Sequence, residues 1–75
     1  MSMYQTSDFQ EAVILRYHGH RLASVDTSQK RAVFYFDHSY DTEQIVDAYR
    51  NREVLVEPKA FYLCQREIKD RLYSR

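Results

Sequence analysis

The sequence predicts a small α+β domain in the order helix, strand, strand, helix, short extended segment, helix, with an antiparallel hairpin packed on helices. Apolar residues recur at helical spacing near both ends of the chain. Between them, two strand-like runs, residues 20–26 and 31–36, flank polar Thr27, Ser28, Gln29 and Lys30, a four-residue loop suited to a hairpin. The only glycine and the only proline sit where one helix should end and another begin. Seventy-five residues without repeats or linkers make one domain, residues 1–75, with residues 1–5 as a loose lead-in.

Ser7 is the expected N-cap of the first helix, with Gln10 completing a capping box and Asp8 and Glu11 complementing the helix dipole. Phe9, Ala12, Val13 and Tyr17 form its inner stripe, widened by Ile14, and Gly19 supplies a left-handed C-cap. In the hairpin, pairing Asp26 with Arg31 sets Val25 opposite Ala32, Ala23 opposite Phe34 and Arg21 opposite Phe36, which defines a core face. Residues 37–41 offer several N-caps for a second helix that runs to about Arg50, buries Ile45, Val46 and Tyr49, and closes on Asn51. Val54, Leu55 and Val56 then run extended. Glu57 and Pro58 open the last helix, whose inner stripe is Phe61, Cys64, Ile68 and Leu72. The expected core is Phe9, Val13, Val25, Phe34, Phe36, Val46, Phe61, Ile68 and Leu72.

Five consecutive apolar residues, Ala32, Val33, Phe34, Tyr35 and Phe36, cannot all face one way in a strand. Helices can cover Ala32, Phe34 and Phe36. Val33 and Tyr35, joined by Leu22 from the paired strand, then form an apolar patch with no obvious cover, next to a hairpin edge that can accept a further strand. A chain this short buries only about 60–65% of its unfolded surface. Its single cysteine, Cys64, excludes an internal disulfide, so association is the expected source of extra stability, and seven tyrosines suit an interface. The expected function is therefore that of a small binding module acting through protein–protein association, as a homo-oligomer or with another protein, and the partner-binding residues are Leu22, Val33 and Tyr35.

Net charge is zero, which removes the simplest argument for nucleic acid. Charge is nonetheless polarised: residues 1–49 hold four basic against seven acidic side chains, net −3, and residues 50–75 hold seven against four, net +3. That polarity suits head-to-tail association or an anionic partner at the C-terminal end. The alternative reading is a nucleic-acid-binding surface in which Tyr35 stacks on bases beside Lys30 and Arg31, extended by Tyr62, Arg66, Lys69 and Tyr73 on the last helix. Glu67 and Asp70 dilute that helix face.

His18, His20 and His38 with Asp37 are the only residues that invite a metal reading, but Gly19 separates two of the rings by ending a helix, and no metal is expected. Cys64 lies on an apolar stripe, unsuited to a nucleophile, and no glycine-rich phosphate loop is present. The chain is expected not to be an enzyme and to need no cofactor or small-molecule substrate. No apolar run approaches the length of a membrane span, and the N-terminal residues lack the blocks of a signal peptide, so a cytoplasmic location is expected.

Thr6-Ser7-Asp8-Phe9, Gly19-His20-x-Leu22, Val33-Phe34-Tyr35-Phe36-Asp37 and Val56-x-Pro58-x-x-Phe61 together resemble a family of short bacterial and phage proteins of unknown function, over residues 6 to about 73. The resemblance implies a small intracellular protein often associated with mobile elements, and it brings no activity or catalytic residues to carry over.

Overall fold

The computed structural model describes residues 3–73, in the order β1 (Met3–Thr6), α1 (Phe9–Tyr17), β2 (Leu22–Asp26), β3 (Val33–Asp37), α2 (Thr42–Arg50) and α3 (Pro58–Tyr73). The α+β class and the order of the last five elements match the sequence reading. The lead-in does not. Residues 3–6 form a strand that pairs antiparallel with β3, Met3 opposite Asp37 and Thr6 opposite Phe34, while residues 1 and 2 lie outside the described residues. Short polar β1 lacks a strand-like run of its own, and its partner β3 supplies the order. Strand order is β1-β3-β2. Because β1 and β2 both run antiparallel to β3, they are parallel to each other, and α1 connects them as a split β-α-β unit.

The hairpin register also differs. Asp26 pairs with Val33, Val25 with Phe34 and Ser24 with Tyr35, two residues beyond the expected partners, so the loop is longer than four residues. A β-bulge between Leu22 and Ser24 then sets Leu22 opposite Phe36. The extra residue turns Leu22 onto the inner face, where only 5% of it remains exposed.

Helix α1 lies at the centre of the helical layer, packed against α2, α3 and the sheet. Its residues Glu11, Ala12, Val13, Ile14 and Leu15 are all buried, so its middle is enclosed on every side and carries no single stripe. Val46 of α2 and Ile68 of α3 complete a core with Leu15, Leu22, Phe34 and Phe36, and Phe9, Val25, Phe61, Cys64 and Leu72 pack partly buried against it. Asp8, not Ser7, caps α1: its carboxylate accepts the Glu11 N–H at 3.2 Å. The last helix opens at Glu57 and Pro58 as the sequence indicates, and Glu57 caps it, accepting from Lys59 N–H at 3.0 Å and Ala60 N–H at 2.8 Å, bonds that hold its carboxyl below the usual range.

Both α1 and α2 end in paired backbone bonds of the Schellman type. In α1, His20 N–H reaches Leu15 O at 3.0 Å and Gly19 N–H reaches Arg16 O at 3.0 Å, with Gly19 at φ +91°. In α2, Glu53 N–H reaches Ala48 O at 2.9 Å and Arg52 N–H reaches Tyr49 O at 3.1 Å. There the left-handed position, φ 60°, is held by Arg52, whose Cβ disfavours it. Gly19→Ala is expected to cost about 1–2 kcal/mol, a pure backbone effect because a Cβ there meets nothing within 4 Å. Arg52→Gly is expected to add about 0.5–1 kcal/mol, relief of strain less the added entropy of the unfolded chain. Urea midpoints of the two variants check both signs.

Candidate partner-binding surface

Residues paired across a sheet share a face, so the register assigns each side chain. Tyr4, Thr6, Val25, Leu22, Phe34 and Phe36 face the helices. Met3, Gln5, Ser24, Asp26, Val33, Tyr35 and Asp37 form the opposite face, which no described element covers. Val33 and Tyr35 are half-buried at its centre on the middle strand, and Met3 is 47% exposed beside them. The rim is acidic at Asp26 and Asp37, with Arg21 3.3 Å from Asp37.

Of the three sequence-predicted partner residues, Val33 and Tyr35 lie together on this open face. Leu22 does not: the bulge makes it a core residue. Nor is the β2 edge wholly bare, because Arg71 of α3 donates to the Leu22 carbonyl at 3.3 Å. The nucleic-acid set is divided. Tyr35 is on the open sheet face, whereas Tyr62, Arg66, Lys69 and Tyr73 belong to the helical layer, and Lys69 stands 5.9 Å over the Phe9 ring. Lys30 and Tyr73 do line a common shallow cleft of about 270 Å³ between the hairpin loop and the end of α3. Exposed Arg31 lies in the same loop.

The histidines spread over separate roles. His18 donates from Nδ1 to the Ile14 carbonyl at 3.0 Å, closing the end of α1. His38 Nε2 lies 3.7 Å from Glu43. His20 is buried, its Nε2 2.9 Å from Thr42 Oγ1, 3.0 Å from Ser39 Oγ and 3.4 Å from Asp41. Asp37 is met by Arg21, to whose carbonyl its N–H bonds, and no histidine pairs with it among the described residues. Among the described residues no group of three or more His, Cys, Asp or Glu side chains can hold a metal ion.

A serine beside a histidine raises nucleophilic chemistry, but the geometry opposes it. Ser39 donates its proton to Asp41 at 2.7 Å, which holds that carboxyl below its usual range, and its backbone N–H is taken by Thr42 Oγ1 at 2.9 Å. Asp41 sits on the Nε2 side of His20, so it cannot orient the ring from Nδ1 as a hydrolytic triad requires. These groups build the turn into α2. They border an open cleft of about 360 Å³ that also touches His18 and Arg21.

A second polar group joins β1, α1 and α2. Buried Glu11 accepts the Tyr4 hydroxyl at 2.8 Å and lies 3.5 Å from Arg50. Sequence spacing placed Glu11 in a first turn, a surface role, and nothing local marked it as buried. Burial, then the hydrogen bond to Glu11 and its negative charge, push the Tyr4 hydroxyl up to about 12 from 10.0. The pattern missed exposed Leu55 and Leu63 as well, 91% and 57% accessible. Both stand one or two positions off an inward residue, a signal visible in the spacing.

Two outcomes follow. Leu22→Ala is expected to cost about 2–5 kcal/mol, as a core truncation does, measured by urea unfolding. Because folding raises the Tyr4 value, its contribution is complete below pH 10 and is lost as pH rises toward 12. Stability of the native chain should therefore fall more steeply between pH 10 and 12 than that of Tyr4→Phe, which is itself weaker at neutral pH by about 1–3 kcal/mol for the lost bond to buried Glu11.

No helix among the described residues is long and apolar enough to cross a membrane. Residues 1–74 match the family described as Domain of unknown function (DUF5659), and the chain belongs to that family. No curated protein and no solved structure matches it.

Proposed function

We propose that this member of a domain family of unknown function is a non-catalytic protein-association module, with the open face of its sheet as the docking surface. One observation carries the reading: β3 is the middle strand, yet among the described residues the Val33 and Tyr35 side of it has no second layer. An aromatic and a β-branched residue at the centre of a flat face, with polar residues around them, match the pattern of a binding anchor and its rim. A cytoplasmic setting fits the lone partly buried thiol, Cys64.

Charge separates this from the nucleic-acid reading. Asp26 and Asp37 rim the Tyr35 face, and Arg21 at that rim is occupied by Asp37. Phosphates would meet repulsion where stacking needs support. The basic residues Lys30 and Arg31 lie in the hairpin loop, where Lys30 lines the cleft shared with Tyr73 at the end of α3.

A photo-crosslinking side chain at position 35 in the native host should give discrete protein adducts, whereas the same group at exposed Gln10 should not. Single-stranded oligonucleotides in an anisotropy titration should show no submicromolar, salt-sensitive binding. If such binding appears and is lost with Lys30→Ala, Arg31→Ala or Tyr35→Ala, the nucleic-acid reading replaces this one.

A further inference from the structure

Helix α3 turns Phe61, Cys64, Ile68 and Leu72 inward. The face diametrically opposite carries Lys59, Leu63, Arg66, Asp70 and Tyr73, at steps of four, three, four and three, the spacing of a two-helix seam. All five are exposed, and Leu63 and Tyr73 keep 57% and 74% of their surface accessible. Among the described residues neither Arg66 nor Asp70 has an ion-pair partner. Three other charges of this helix are engaged: Glu67 with Arg16 at 2.8 Å, Lys69 over Phe9, Arg71 on the Leu22 carbonyl.

The order of residues along the seam selects an occupant. If a second α3 lies antiparallel, centred at the level of Ile68, Arg66 comes opposite Asp70 of the second copy and Asp70 opposite its Arg66. Leu63 then meets Tyr73 of the second copy, and the reverse, so both apolar contacts and both ion pairs are satisfied by one two-fold axis. A parallel arrangement sets like charges against each other. We propose that this chain self-associates through α3, two copies pairing antiparallel across Leu63, Arg66, Asp70 and Tyr73.

The seam shares no residue with the open sheet face. A 16-residue helix is about 24 Å long, and two such helices bury less than the roughly 1,200 Å² below which association is weak and transient. The dimer is therefore a low-affinity one, populated at high local concentration. Its central ion pairs make it sensitive to salt.

Sedimentation or light scattering on the full chain tests this. The mass should rise from 9.1 kDa toward twice that value as concentration reaches the order of hundreds of micromolar. Arg66→Asp alone and Asp70→Arg alone should each weaken self-association by about tenfold or more, since each sets like charges together. An equimolar mixture of the two should recover the dimer, because positions 66 and 70 are then both acidic in one copy and both basic in the other, and the doubly reversed chain should recover it alone. Thermal melts confirm that each variant folds, and Leu63→Glu provides an independent disruption. A native chain that stays monomeric throughout overturns the proposal. So does a dimer that survives either charge reversal; if that dimer is lost with Tyr35→Ala, association belongs to the sheet face, and the docking reading stands without this one.

Discussion

Five consecutive residues of α1 have no face left for solvent, and that enclosure sets what the other elements must do. The sheet covers one side of the helix, α2 and α3 the flanks. Enclosure also takes in Glu11, a carboxylate that an apolar surrounding would penalise by several kcal/mol if it were left alone. Tyr4 and Arg50 reach it from β1 and α2. The charge therefore ties the first strand to the second helix through the middle of the fold. In a chain with no disulfide, such a tie links segments far apart in sequence.

The polar chemistry of the molecule is largely consumed by its own architecture. Asp8 and Glu57 cap helices, Ser39 and Thr42 shape the turn before α2, His18 closes α1, and Asp26 accepts two bonds from Ser28 at the start of the hairpin loop. Groups committed in this way are poor candidates for acid–base work. What remains uncommitted is surface: the uncovered half of the middle strand and the outward side of the longest helix. Those two regions differ in kind, one flat and acid-rimmed, the other a ridge of alternating apolar and charged residues.

Local patterns in the sequence were sufficient for the helices, the hairpin and the two-sided nature of β3. Gly19 and Pro58 marked helix ends because their backbone chemistry leaves few alternatives. Three features escaped for one shared reason, that tertiary contacts decide them. The β1 residues have no strand signature and are ordered by pairing with β3. The run Ala12, Val13, Ile14, Leu15 is apolar without interruption, the mark of a fully enclosed helix, whereas helical spacing alone picks out a single stripe. Alternation assumes an uninterrupted ladder, and the bulge at Ala23 shifts it by one residue, so alternation alone puts Leu22 on the wrong side. Val33 and Tyr35 lie on the bulge-free strand, and their placement followed from alternation alone.

The bulge at Ala23 acts as a frame-shift in side-chain space. With it, Leu22 is sealed under the sheet and Ser24, two positions on, lies outside; were Ala23 drawn into the regular ladder opposite Phe36, strict alternation would carry Leu22 to the outer side. The core would lose a large aliphatic group, and the outer face would gain one beside Tyr35 and Val33. One residue of insertion thus holds the balance between a closed interior and a sticky exterior. It also bends the strand that forms an outer edge of the sheet, a shape that discourages runaway polymerisation of copies edge to edge.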